Sequence, residues 1–372
     1  MRGFHFPSYV AYLRRALRCT RRDELLLELA VGEEFSKQRM AQLFHGLDIA
    51  AEGYRFNLLL ALVCEGFAFR AVPAKFEPRL RGIIRYYRFQ NTAQLVHFSR
   101  LGKVCNGHAI PLLLLKGVAL RALDEKNRPR VMGDVDFAVP RASHEAVLLE
   151  AKQLGFRITH VARHAVDMRC ADCCIDVHRS IFHDSPRPEA EEVIWQRARP
   201  MRAYGVAALV PCAEDLLLSL VCNEFRNVLC SDRDLQYFQW LHDCAFLLKR
   251  SPGFSWDLLL ATAEQIGIAA RLKPMVAILA SLLPALVPGD LPRERWELND
   301  AEAKGVGQNL IIHATSLKNW ERKRLRLRAC RSLRDLRHYF STKIKYRMLK
   351  LARRWRPLRG LAISSILRKW KR

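Results

Sequence analysis

No apolar run in the 372-residue sequence reaches the ~18 residues that a membrane-spanning helix requires. The N-terminus, Met-Arg-Gly-Phe-His-Phe-Pro, lacks the apolar core and small-residue cleavage site of a secretory signal. The expectation is therefore a cytoplasmic protein, at most peripheral to the inner face of the membrane. An even cysteine count is also missing: the 11 cysteines are scattered through apolar segments. Without a secretory signal they read as reduced thiols rather than a disulfide framework. Internal repeats are absent, and no low-complexity segment precedes the C-terminal tail. Half the residues are apolar, which excludes a disordered chain and leaves room for two or three packed units.

Acidic residues are almost missing from one end. Residues 316–372 hold 21 Lys and Arg against 2 Asp and Glu, whereas the rest holds 41 against 35. The net charge of +25 thus divides into +19 on the tail and +6 on the body. A mildly basic body with a separate cationic segment is the picture, rather than a nucleic-acid-binding protein throughout. In the tail, Leu333, Leu336, Phe340, Ile344, Met348, Leu351 and Trp355 recur at helical spacing among Arg and Lys, ending before Pro357. Such a basic amphipathic helix has three uses: packing on the body, lying on an anionic membrane surface, or gripping nucleic-acid phosphate. The absence of an aromatic-interleaved RNA motif disfavours the last.

Along the body, residues 8–70 read as amphipathic helices, with 57–64 a buried one, and residues 79–103 as a further helix rich in Arg and aromatics. The pattern then changes. The spacing predicts strands at Ile110–Leu115, Val135–Val139, Phe156–Val161, Ala165–Met168 and Cys173–His178. Helical turns are expected at Val118–Glu125, and a helix capped by Ser143 runs to Leu154, with Gly155 just beyond it. From Glu189 to Pro288 helices return, at 213–224, 234–250, 256–266 and 270–283, and a Gly- and Pro-containing linker follows.

The chemistry-bearing residues lie in the strand-rich stretch. Leu112-Leu-Leu-Leu-Lys116-Gly117 is an apolar run closing on Lys-Gly, and Gly133-Asp134-Val-Asp136-Phe-Ala-Val139 carries two aspartates on one face of an apolar strand. Residues i and i+2 of a strand share a face about 7 Å apart. Two such carboxylates are costly unless a cation neutralises them. A third apolar strand, Cys174-Ile-Asp176-Val-His178, could lie beside them.

In the order Leu115-Lys116-Gly117, Arg130-Val-Met-Gly-Asp134-Val-Asp136, Leu154-Gly155-Phe156 and Ile175-Asp176-Val177-His178, the chain resembles the polymerase-β-type nucleotidyltransferase superfamily. More closely, it is similar to an uncharacterised bacterial family within it. Two departures are visible. Val118 follows Gly117 where Gly-Ser or Gly-Gly is usual, and the proline of Arg-Pro is displaced in Arg128-Pro129-Arg130. The resemblance implies an α+β fold: a small mixed sheet with helices, flanked by helical regions. The expected division is 1–104 N-terminal helical region, 105–185 nucleotidyltransferase core, 186–288 C-terminal helical region, 289–315 linker and 316–372 basic tail.

It also implies a reaction, Mg2+- (or Mn2+-) dependent transfer of an NMP from an NTP to an unidentified acceptor with release of pyrophosphate. The acceptor class stays open between sugar, lipid, peptide and other small molecules. Alternatives are nucleotidylation of a protein or an RNA end, and a non-catalytic nucleotide-binding scaffold. Asp134, Asp136 and Asp176 are the implied metal ligands, Asp176 also assisting deprotonation of the acceptor; otherwise Asp176 caps a loop or pairs with Arg179. Lys116, Gly117 and Arg130 are the candidate nucleotide-binding residues. Lys116 otherwise snorkels from a strand end, and Arg130 otherwise orients the aspartates. His178 is a candidate on the acceptor side or a structural hydrogen-bonding residue, and His164 is a weaker candidate. Asp243, on a largely apolar helix, is either a pocket residue or a polar helix contact. Cys170-x-x-Cys173-Cys174 lacks the four-ligand spacing of a zinc site.

Overall fold

Seven strands form one mixed sheet in the computed structural model, in the order β3-β4-β5-β2-β1-β7-β6. The structure describes residues 20–297, apart from 33–34, 125–129, 131, 172, 184, 231–236 and 290. The basic tail and the part of the expected linker beyond residue 297, like Arg128 and Pro129, lie outside the described residues, whereas the first part of that linker holds a short helix at Arg293–Trp296. Among the described residues no helix is long and apolar enough to cross a membrane.

The centre of the sheet is built from the strands the sequence marks out. β1 (Leu113–Leu114) pairs antiparallel with β2 (Val135–Ala138), and β2 pairs parallel with β5 (Cys173–His178). β5 continues antiparallel into β4 (Ala165–Cys170), and β4 into β3 (Arg157–Val161). Helix α6 (His144–Gln153) makes the crossover between β2 and the β3–β5 meander. Ser143 stands at its N-cap but makes no side-chain capping bond, because the chain enters through a 3₁₀ turn at Arg141–Ser143. Gly155 follows α6 with φ +91°, a left-handed conformation that glycine adopts without a Cβ penalty.

One face of this sheet is core. Val135, Phe137, Ile175 and Val177 are buried on it under α4 (Glu77–Gly107), whose Leu80, Ile84, Leu95, Phe98, Leu101 and Cys105 form a buried stripe at helical spacing. The Phe98 and Phe137 rings lie 5.3 Å apart, and Cys173 Sγ donates to the Gln94 carbonyl. Period-2 alternation therefore sends Asp136, Asp176 and His178 to the opposite face.

The region 186–288 differs from the expected run of helices. β6 (Arg199–Ala203) and β7 (Val206–Val210) form a hairpin there, and β7 pairs parallel with β1, extending the same sheet. Ala-rich Val-Ala-Ala-Leu-Val carries no clear strand signal; tertiary pairing decides it. The helices that follow are α8 (Ala213–Cys230), α9 (Tyr237–Lys249), α10 (Trp256–Ile266) and α11 (Ala269–Leu282), preceded by the short α7 (Glu192–Arg197). At the other end of the chain come α1 (Arg21–Val31), α2 (Lys37–Phe44) and α3 (Tyr54–Gly66). Helix α9 packs against α1 and α3 as well as α8, so the N- and C-terminal helical regions share a core.

Candidate active site

The parallel β2–β5 register sets Asp136 directly beside Asp176 and Ala138 beside His178. Asp134 stands just before β2. Ligand oxygens of Asp134, Asp136 and Asp176 all lie within 4.8 Å of one another. The sequence-predicted trio is therefore one cluster, with Asp136 4% and Asp176 8% exposed and Asp134 at the open edge.

Two cations sit among the three carboxylates. The Leu115 N–H donates to the Asp136 carbonyl, so the β1–β2 ladder runs up to Lys116, the first residue of α5 (Lys116–Leu123). Its ammonium pairs with Asp136 Oδ1. Lys116 takes φ +43°, a left-handed conformation that costs ~1–3 kcal/mol for a side-chain-bearing residue and persists only where surroundings enforce it. The second cation is His178. Its Nδ1 lies 3.2 Å from the Ser180 carbonyl, and its Nε2 lies 3.1 Å from Asp136 Oδ1 and 3.2 Å from Asp176 Oδ2. Neither a carbonyl nor a carboxylate can donate, so both ring nitrogens must, which makes the ring an imidazolium. Burial opposes that charge, but the bonds to Asp136 and Asp176 outweigh it and push the His178 pKa up to about 9. Burial likewise opposes ionisation of Asp136 and Asp176, yet Lys116 and His178 hold the first, and chiefly His178 the second, below the usual carboxylate range. Asp134 takes the remaining strain. The Asp136 charge, then desolvation, pushes it up to about 7.

These residues fit a divalent cation. Three carboxylates against two cations leave one negative charge, and Asp176 Oδ1 is buried with no hydrogen-bond partner, the condition that buried polar groups avoid unless a ligand completes them. His164, Asp176 and His178 form a second metal-compatible group. A ligating histidine must be neutral, and His178 is doubly donating, so the aspartate trio is the better-suited set. The His164 ring, 5.3 Å from that of His178, is held neutral by burial and by its histidine neighbours, its pKa down to about 3. Neither metal-compatible group includes a cysteine. Cys170 and Cys173 instead donate to the Leu154 and Gln94 carbonyls.

Arg130 approaches from the far side of α5. Its Nε lies 2.9 Å and 3.1 Å from the two Asp243 oxygens, and Nη2 also reaches Asp243. A Cβ on Gly117 would stand 2.0 Å from Arg130 Nη1. A side chain here would therefore have to displace the Arg130 guanidinium from its place beside Asp243. Asp243, on α9, is buried, so the C-terminal helices fix an arginine of the core. Both ends of α5 are held too: Arg250 Nη1 donates to the Leu123 carbonyl at 3.0 Å, and the Tyr204 hydroxyl from the β6–β7 turn donates to the Val118 carbonyl in the first turn at 3.0 Å.

One acidic residue escaped the sequence reading. Asp167 on β4 is the register partner of Asp176, and burial followed by the Asp176 charge raises its pKa. A bulge between Ile158 and His160 turns His160 toward it, Nδ1 to Oδ2 at 3.4 Å. Folding the Ala165–His178 hairpin about its turn would have paired Asp167 with Asp176; only the bulge lies beyond that reasoning.

A sequence model of a family described as "Uncharacterised nucleotidyltransferase" matches residues 47–284, more than half of the chain. No match is found among curated proteins. Among solved structures the chain is similar to the antibiotic-resistance factor ANT(2'')-Ia, at 14% identity over 52% of this chain and 95% of that one, with a TM-score of 0.35.

Proposed function

The chain belongs to this family of uncharacterised nucleotidyltransferases, and on that premise we propose that it transfers an NMP from an NTP to an acceptor hydroxyl, with release of pyrophosphate, at the Asp134–Asp136–Asp176 cluster. The observation that supports the reading most is the trio itself: three carboxylates drawn together on neighbouring strands, short of one positive charge, with a buried oxygen left open. Magnesium or manganese, when bound, would neutralise the trio and screen the triphosphate charge.

The remaining work falls to side chains. Asp134, Asp136 and Asp176 would hold the cation. Lys116, which contacts Asp136, would bind a phosphate oxygen of the NTP. Arg130, oriented by Asp243, presents its guanidinium beside the start of α5, where free backbone N–H groups favour phosphate. His178 fixes the carboxylates of Asp136 and Asp176. Asp176, as a cation ligand beside the acceptor, would also assist deprotonation of its hydroxyl.

The test is incubation with each α-labelled NTP, magnesium and a cell extract. The expected result is label in a new product with stoichiometric pyrophosphate, absent with Asp136→Asn. Label released only as free NMP, or equal transfer by the variant, would contradict the reading. For residues 316–372 the proposal is attachment to an anionic membrane surface. Truncation near Gly307 should then keep transfer and lose salt-sensitive sedimentation with anionic vesicles. An insoluble truncated protein would instead make the tail part of the packed body.

A further inference from the structure

Two arginines face each other where no arginine needs to be. Arg157 on β3 is the register partner of Arg169 on β4, and Arg169 is in turn the register partner of Cys174 on β5. Register partners point to the same face of a sheet. Arg169 therefore stands two residues along β4 from Asp167, on the face that carries Asp176 and His178. Like charges directly opposite on neighbouring strands destabilise the pairing, and proteins usually relieve such a pair with a carboxylate. Both side chains are exposed, and neither forms an ion pair with any described residue. Asp167 is the carboxylate two residues along β4 on the same face. The bulge at Ile158–His160 brings His160 against its Oδ2, so Asp167 is paired with His160 rather than with Arg169.

The placement relative to the trio gives the pair its meaning. Sheet order is β3-β4-β5-β2-β1. Lys116 and Gly117, at the end of β1, flank the trio on one side; Arg157 and Arg169 flank it on the other. Two cationic flanks around one carboxylate cluster suit two substrates. The first flank, with its helix N-terminus, suits a triphosphate. With strands ~4.8 Å apart and a rise of ~3.3 Å per residue, the Arg169 backbone lies about 8–10 Å from that of Asp176, a span that a small hydroxylated anion can bridge.

We propose that Arg157 and Arg169 form an anion-binding subsite that takes the phosphate or carboxylate group of a small hydroxylated acceptor, holding its hydroxyl at Asp176. This rests on the nucleotidyl-transfer reading and narrows its acceptor class. Paired guanidinium groups are well suited to the job, since each offers two parallel donors to a planar carboxylate or to a phosphate edge.

The cationic tail makes whole-protein anion titration unspecific, so the test must resolve single residues. The full-length protein is treated with phenylglyoxal and each arginine is read by mass spectrometry, alone, with inorganic phosphate, with acetate, or with magnesium and a non-hydrolysable triphosphate. At about ten times its dissociation constant, phosphate or acetate should slow modification of both Arg157 and Arg169 by about tenfold, while leaving exposed Arg199 and Arg202 on β6 unprotected. Which anion protects identifies the group. Equal protection everywhere, or none, would overturn the subsite. Protection of the pair by the metal–triphosphate alone would move it to the nucleotide and overturn the acceptor assignment. In Arg157→Gln, protection of Arg169 should be lost while metal–triphosphate affinity stays at the parent value. A parent protein that binds no metal–triphosphate would defeat the nucleotidyl-transfer reading and the acceptor assignment with it, whereas anion protection would still register the pair as a site.

Discussion

Two buried acidic sites stand almost back to back in this protein, and they are treated oppositely. Glu191, in the turn before α7, accepts from the Ser180 hydroxyl at 2.7 Å, the Ile181 N–H at 2.7 Å and the Phe182 N–H at 3.5 Å. Its oxygens are satisfied by the chain itself. Asp176, on β5, has one oxygen on His178 and the other buried without a partner, with Asp136 and Asp167 as register neighbours. The two sites touch through Ser180, whose carbonyl accepts from His178 Nδ1. A carboxylate satisfied by its own backbone is a structural part. One left short of a partner, among others of its charge, is what the proposed function reads as a ligand site.

The contrast is sharpest where stability and activity should move apart. In Asp134→Asn, transfer should fall by about 10²–10³-fold, the usual loss for removing one preorganised electrostatic contact. The variant should nevertheless melt at or above the parent temperature, because it removes the carboxylate that Asp136 repels most. A transfer assay paired with a thermal melt checks both halves, and a fall in melting temperature with activity intact would reverse the assignment. Asp176→Asn should lose turnover more than triphosphate affinity, read from kcat against KM. A fully active Asp176→Ala would remove the three-carboxylate mechanism.

Asp243→Ala tests whether the helical region serves the site. It leaves Arg130 half-buried without its bidentate partner, at a cost toward the lower end of the ~3–5 kcal/mol seen for broken buried pairs. Nucleotide affinity should weaken as well. Denaturant unfolding and calorimetry together decide it, and a loss of stability without any change in affinity would make the pair purely structural.

Glu191 gives the smallest effects. Glu191→Ala strands three donors and should cost stability, with activity per folded molecule largely kept. Its pH response follows from sign. Burial holds the carboxyl above its ordinary 4.5, against the hydrogen bonds that pull it down. The folded state therefore binds this proton more tightly than the unfolded chain. Its contribution to stability is greatest below 4.5 and declines as pH rises through the window above that value. The parent's stability relative to Glu191→Gln should thus fall as pH rises above 4.5. A rise over that range would contradict the burial argument.

Much of the site could be read from residues in strands. Asp134-Val-Asp136 and Asp176-Val-His178 each place two polar groups on one face by alternation alone, and their strand order brings them together. What alternation cannot supply is lateral register. That His178 lies between two carboxylates, and so is a cation rather than a neutral hydrogen-bonding residue, depends on β2 pairing parallel with β5 residue for residue. The Arg130–Asp243 pair joins positions far apart in sequence, and no local pattern signals it. The β6–β7 hairpin was hidden for a related reason: Arg199-Pro-Met-Arg-Ala203 and Val206-Ala-Ala-Leu-Val210 have weak strand preference and form strands because β1 offers an open edge. Gly117 was legible as a special position, though the group it admits in this structure is the Arg130 guanidinium.

The central claim is that the Asp134–Asp136–Asp176 cluster is completed by a divalent cation and a triphosphate, while Glu191 is already complete. Calorimetric titration of magnesium with a non-hydrolysable triphosphate into the parent, Asp134→Asn, Asp136→Asn and Glu191→Gln tests it directly. The account predicts binding to the parent and to Glu191→Gln, and its loss from both aspartate variants. Parent-like binding by both aspartate variants would contradict it.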